Sequence, residues 1–140
     1  MEIKLTYQGI GAAFKAMNSD GNELIIDGSP QLGGEGKGPR PMEMVLFGLA
    51  GCAAMDVLHI LRKGRSHLTH AVVTASGQRV DAVPAVFQSV HLGFELAGDR
   101  LSEKQAQRAI DLSIERYCSV AQMLASKVEI TASLSLIETQ

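Results

Sequence analysis

Three features of the sequence predict an α+β domain. Strand-like segments come in hairpin groups rather than alternating singly with helices, one long apolar helix separates the first two groups, and a last strand follows a pair of helices. The predicted order is three strands, a helix, two strands, two helices and a final strand. At 140 residues the chain is expected to form one domain over 1–140, a size that buries a core without disulfide or metal staples.

Residues 2–7 alternate polar and apolar, the period of a half-buried strand, and 12–18 supply a second. Asn18-Ser19-Asp20-Gly21-Asn22 is a turn signal, and 23–27 read as a third strand, so the chain opens as an antiparallel meander. Residues 28–41 hold five glycines and three of the four prolines. They predict an irregular loop, the kind of segment that often carries function.

Pro41 suits the first turn of a helix, and Glu43 in that turn favours the positive end of the dipole. From Met44 to Leu61 the chain is helix-forming and apolar nearly all round, closing on Arg62, Lys63 and Gly64. Such a helix has to be buried on all sides, by wrapping sheets or by another subunit. Gly48, Ala50, Gly51, Ala53 and Ala54 permit close approach of another backbone.

Residues 69–79 and 86–96 are rich in β-branched side chains and are joined through Pro84, which predicts a hairpin. Ser102 with Gln105 is a capping-box pattern that opens a helix to about Arg116. A shorter helix over 119–125 and an alternating strand over 128–137 complete the chain.

The net charge of −2, with both signs interspersed, gives no basic stripe for nucleic acid and no membrane-binding surface. The longest unbroken run of apolar residues and glycine, from Met44 to Met55, is shorter than a bilayer span. The N-terminus lacks the basic-then-apolar pattern of a secretory signal. A cytosolic location is therefore expected, where a cysteine pair is more often catalytic, redox-sensing or simply buried than a standing disulfide.

Cys52 lies in the middle of the apolar helix and Cys118 at the junction of the two late helices. Their wide separation in the chain rules out a C-x-x-C motif. Two buried structural thiols or a reactive pair both fit the residues. Burial among apolar neighbours would raise the pKa of Cys52, whereas the helix start beside Cys118 favours a thiolate there. His59, two helical turns after Cys52, would need more converging donors to hold a metal. Gly33-Gly34-Glu35-Gly36-Lys37-Gly38 lacks the G-x-x-x-x-G-K-[ST] pattern of a phosphate loop. Asp56 and Glu43 are too separate to make a carboxylate pair, and no G-x-S-x-G occurs. No cofactor and no metal are expected.

Pro41-Met42-Glu43-Met44-Val45-Leu46-Phe47-Gly48-Leu49-Ala50-Gly51-Cys52 and, downstream, Tyr117-Cys118-Ser119-Val120 together resemble the OsmC/Ohr family of thiol peroxidases. The P-M-E-M-V-L and R-Y-C-S-V-A segments are most like its YhfA-type branch. The resemblance covers nearly the whole chain. It implies an intertwined homodimer in which antiparallel sheets wrap two long central helices. It also implies that Cys52 is the thiolate attacking an organic hydroperoxide, and Cys118 the thiol that resolves the Cys52 sulfenic acid to a Cys52–Cys118 disulfide. A dithiol reductant, typically lipoyl-linked in the family, then restores both thiols.

In the well-studied branches a glutamate directly after the motif proline pairs with an arginine and holds the thiolate. Here Met42 follows Pro41 and Glu43 stands one residue later, a rotation of about 100° on a helix. Arg40 beside the proline is the candidate arginine, and Lys15 and Lys37 are further cations. A second function class follows from this departure: a non-catalytic dimer of the same fold that binds a small apolar or thiol-bearing ligand.

Overall fold

In the computed structural model, which describes residues 1–138, the chain falls into two compact units, the first Met1–Val45 and the second beginning at Leu46. In the first, β1 (Ile3–Tyr7), β2 (Phe14–Asn18) and β3 (Glu23–Ile26) form an antiparallel sheet in that order. The β2–β3 turn is built as its residues suggest. Asn18 Oδ1 accepts from the amides of Asp20 at 3.1 Å and Asn22 at 2.9 Å, and Gly21 takes φ +83°.

The register sets Leu5 opposite Ala16 and Tyr7 opposite Phe14, and the two rings of the latter pair stand 5.5 Å apart between centroids. Period-2 alternation thus puts Ile3, Leu5, Tyr7, Phe14 and Leu24 on one face, where all five are exposed.

The glycine-rich segment is an ordered loop folded around one carboxylate. Asp27, 2% exposed, accepts from the Gly28 amide on Oδ1 at 2.7 Å, and from the amides of Glu35 at 3.1 Å and Lys37 at 3.0 Å on Oδ2. A short 3-10 turn, Pro30–Leu32, lies inside the loop. A Cβ at Gly34 would fall onto the Gly28 carbonyl and one at Gly38 onto the Ile25 carbonyl, which explains the glycines at these two positions.

Helix α1 (Pro41–Lys63) begins in the first unit and continues through the second. Its start is a capping arrangement. The Arg40 carbonyl accepts from the Met44 amide at 3.0 Å, and Glu43 Oε1 accepts from the Arg40 amide at 3.0 Å. Its end is a Schellman motif, with Ser66 N–H donating to Leu61 O at 2.9 Å and Arg65 N–H to Arg62 O at 3.0 Å. The left-handed position of that motif falls on Arg65, φ +63°, rather than on Gly64.

Leu49, Ala53, Val57 and Leu61 recur every four residues and form the one buried stripe of α1. Phe47 is 64% and Met55 71% exposed, so the chain by itself does not bury this helix on all sides. At 23 residues, with an 18-residue stretch of mean hydropathy 2.0, α1 is long and apolar enough, by length and composition only, to cross a membrane. The unbroken apolar run read from the sequence stops before Asp56, but the helix continues through it.

The second sheet has the order β4 (His67–Arg79), β5 (Phe87–Asp99), β6 (Glu129–Leu136). β4 and β5 form the predicted antiparallel hairpin, but β6 runs parallel to β5. The all-antiparallel expectation fails here because two helices intervene between β5 and β6. A helical crossover carries the chain back to the starting end of β5, whereas a tight hairpin would reverse it. Val90, Leu92, Phe94 and Leu96 on β5 alternate into the core.

Helix α2 (Glu103–Leu112) opens with the Ser102–Gln105 capping box, both arms formed. It ends four residues before the predicted Arg116, because Ser113–Tyr117 wind into a π turn. Helix α3 (Ser119–Leu124) follows, with Cys118 as its N-cap.

Candidate functional site

The π turn positions the buried thiol. Its closing bond runs from the Cys118 amide to the Ser113 carbonyl at 2.7 Å, a five-residue step where an α-helix takes four. Cys118 leaves that turn extended, ψ 106°, and its Sγ accepts from the Ala121 amide at 3.4 Å. Its side chain is 0% exposed.

Cys52, half-buried on α1, meets it there. The sulfurs of Cys52 and Cys118 and a carboxylate oxygen of Asp56 lie within 4.8 Å of one another. Asp56 is four residues past Cys52 and so on the same face of α1. Its Oδ2 accepts from Ser113 Oγ at 3.1 Å; the same hydroxyl stands 3.4 Å from the Ala53 carbonyl. The π turn therefore presents a hydroxyl to Asp56 at its start and a thiol to Cys52 at its end.

Burial pushes the Cys118 thiol up to about 11 from its ordinary 9.0. The Ala121 amide pulls the other way, and the neighbouring Cys52 sulfur adds to the rise. The sequence expectation that the helix start would make Cys118 the acidic thiol is thus overturned. The amides that favour a thiolate are outweighed by a fully enclosed sulfur beside a second sulfur.

The remaining predicted residues lie in the first unit. Arg40 and Glu43 are brought together, but through the Arg40 main-chain amide rather than through an ion pair. Lys15 pairs with Glu23 at 3.8 Å and Lys37 with Glu35 at 3.1 Å, both at the surface. His59 is exposed and is not among the three grouped donors.

Two residues of the centre escape the sequence reasoning. Asp56 carries a signal, its i+4 spacing from Cys52, but without a second carboxylate beside it the residue does not stand out. Ser113 carries none, since only a π turn brings it to the same place as Cys118.

A mixed-sheet α+β fold with a half-exposed thiol on a long helix, facing a buried thiol from far downstream, defines a class of two-cysteine proteins. Residues 34–133 match the family model of the OsmC-like proteins, and the chain belongs to that family. It is 39% identical over 127 residues to protein YhfA of Escherichia coli K12, covering 91% of this chain and 92% of that one. A solved structure from structural genomics superposes with a TM-score of 0.88 at 34% identity, over 99% of this chain and 100% of the other. The organic hydroperoxide resistance protein OhrB of Bacillus subtilis shares the fold, with a TM-score of 0.64 at 16% identity over 96% and 98% of the two chains.

Proposed function

We propose that the chain is a thiol-dependent peroxidase for organic hydroperoxides, acting as a single OsmC-like domain in the cytosol. The observation that carries this reading is the pairing of a half-exposed Cys52 with an enclosed Cys118, sulfurs within 4.8 Å, in a fold shared with a hydroperoxide resistance protein. Exposure lets Cys52 meet a peroxide, and burial keeps Cys118 a thiol until it is needed.

The Cys52 thiolate attacks the peroxide, breaking the O–O bond and leaving an alkoxide that is protonated to the alcohol. Cys52 becomes a sulfenic acid. Attack by Cys118 gives the Cys52–Cys118 disulfide and water. A dithiol, lipoyl-type in this reading, reduces the disulfide by exchange and is itself oxidised.

The functional form in this reading is a homodimer. Exposed Phe47 and Met55 on α1 and the apolar face of Ile3, Leu5 and Tyr7 on β1 are surface a second copy would cover. The test is consumption of cumene hydroperoxide with dihydrolipoamide: the wild type turns over, and Cys52→Ser does not. Full turnover by Cys52→Ser would sink the reading.

A non-catalytic, ligand-binding dimer is the second reading. It is favoured by the open, mainly apolar groove that Ala54, Met55, Leu58, Leu68 and Ala71 line with Thr69 and His70. It predicts thiols inert to peroxide and a melting temperature that rises with ligand.

A further inference from the structure

We propose that Asp56 is the proton-transfer residue of the two-thiol centre, taking the proton of Cys118 as that thiol attacks oxidised Cys52. The inference rests on the peroxidase reading above and deepens it.

Two observations and one chemical argument meet at this carboxylate. One of its oxygens lies within 4.8 Å of both sulfurs, a separation that one bridging water spans. Its Oδ2 is fixed by the Ser113 hydroxyl at 3.1 Å, while Oδ1 has no protein hydrogen bond among the described residues. The third is a chemical need. Burial pushes this thiol up to about 11, so Cys118 is held as the neutral thiol at neutral pH. An enclosed sulfur has no bulk water to take its proton, so a nearby base speeds its attack.

The step balances without any further reactant. Cys118–SH gives its proton to the Asp56 carboxylate, and the sulfur electron pair forms the S–S bond to Cys52. The S–O bond of the sulfenic acid breaks with its electron pair on the departing hydroxide. That hydroxide takes the proton back from Asp56 and leaves as water. The carboxylate is regenerated, and the two electrons given up by the thiol pair are those that reduced the peroxide.

The test is Asp56→Asn, which keeps the shape and an oxygen for Ser113 but cannot take a proton, in single-turnover experiments on the full chain. In the first arm, cumene hydroperoxide is added, the sulfenic acid is trapped with dimedone, and the disulfide is followed by quenched peptide mapping. The sulfenic acid is expected to form within about twofold of the wild-type rate, and the disulfide about 100-fold more slowly, the size of a general-base contribution.

In the second arm, dithiobis(nitrobenzoate) converts Cys52 to a mixed disulfide, and Cys118 then expels the second thionitrobenzoate. That leaving group needs no proton, so this release reads deprotonation of Cys118 alone. It is expected to slow by tenfold or more in Asp56→Asn, with Asp56→Glu restoring part of the rate. A purely structural role would slow both thiols together and would not be repaired by glutamate. Equal second-release rates in wild type and Asp56→Asn overturn the proposal. A wild type that forms no sulfenic acid in the first arm overturns the peroxidase reading instead, while the second arm still decides the role of Asp56.

Discussion

The sulfur atoms of Cys52 and Cys118 lie within 4.8 Å of each other although the two residues stand far apart in the chain. A disulfide brings its sulfurs to about 2 Å, so oxidation requires only a local approach of the π turn and α1. Cys118→Ser should therefore leave peroxide attack intact and stop the cycle at the sulfenic acid. In mass spectrometry, dimedone adducts on Cys52 should accumulate in Cys118→Ser and be brief in the wild type. The closed loop is long, so the oxidised wild type should also unfold with a free energy about 2–4 kcal/mol higher than the reduced form. Paired urea titrations with and without reductant check this.

Reduced Cys118 makes the folded state sensitive to alkali. Its folded pKa of about 11 exceeds its ordinary 9.0, because the enclosed site rejects the anion. The folded state therefore gains from the neutral thiol below pH 9, and that gain is lost as pH rises from 9 through 11. The loss should be on the order of 2 kcal/mol, and Cys118→Ala should abolish that part of the slope. Urea unfolding between pH 7 and 11 in reductant measures it. At pH 8 iodoacetamide should label Cys52 well before Cys118, since only Cys52 is half-exposed.

Asp27 makes the glycine-rich loop sensitive to acid. The Lys37 amide holds its carboxyl below the ordinary 3.8; burial opposes the effect, and the Glu35 and Gly28 amides and the Lys37 charge reinforce it. The sign is opposite to that of Cys118. This contribution is present above pH 3.8 and is lost as pH falls through the lower folded value. Asp27→Asn should lower the melting temperature by several degrees at pH 7 and flatten its fall below pH 4. Amide exchange at Glu35 and Lys37 should rise in the variant, since both donate to Asp27 Oδ2.

The strands, the long helix and the capping box are legible in the sequence because each is a local pattern. Alternation marks β1, β3 and β6, Ser102 with Gln105 starts α2, and Asn18 to Asn22 make a turn. The parallel pairing of β6 is not legible, since it depends on where two helices deliver the chain. Nor is the π turn, whose extra residue has no composition of its own. That one turn decides the site: it sets Ser113 on Asp56 and Cys118 beside Cys52, and burial by the rest of the fold then reverses the acidity that the helix start suggested. Family resemblance locates the thiols; only the fold brings the Asp56 carboxylate beside both of them.

The end of α1 stores strain that one substitution should release. Arg65 occupies the left-handed position of the Schellman motif, φ +63°, where a side chain costs about 1 kcal/mol that glycine avoids. Its side chain is exposed, so little packing is lost on truncation. The motif must be kept, because the next residue, Ser66, is buried and donates Oγ to the Arg100 carbonyl at 2.8 Å. Arg65→Gly preserves that backbone and removes the Cβ. It should stabilise the protein by about 0.5–1 kcal/mol, a rise of about 2–4 °C in melting temperature for a chain of this length. Arg65→Ala, which keeps the Cβ in the same conformation, should not. Thermal unfolding of the two variants beside the wild type separates backbone relief from loss of the charge: equal melting temperatures for Arg65→Gly and Arg65→Ala would show that φ at this residue costs nothing.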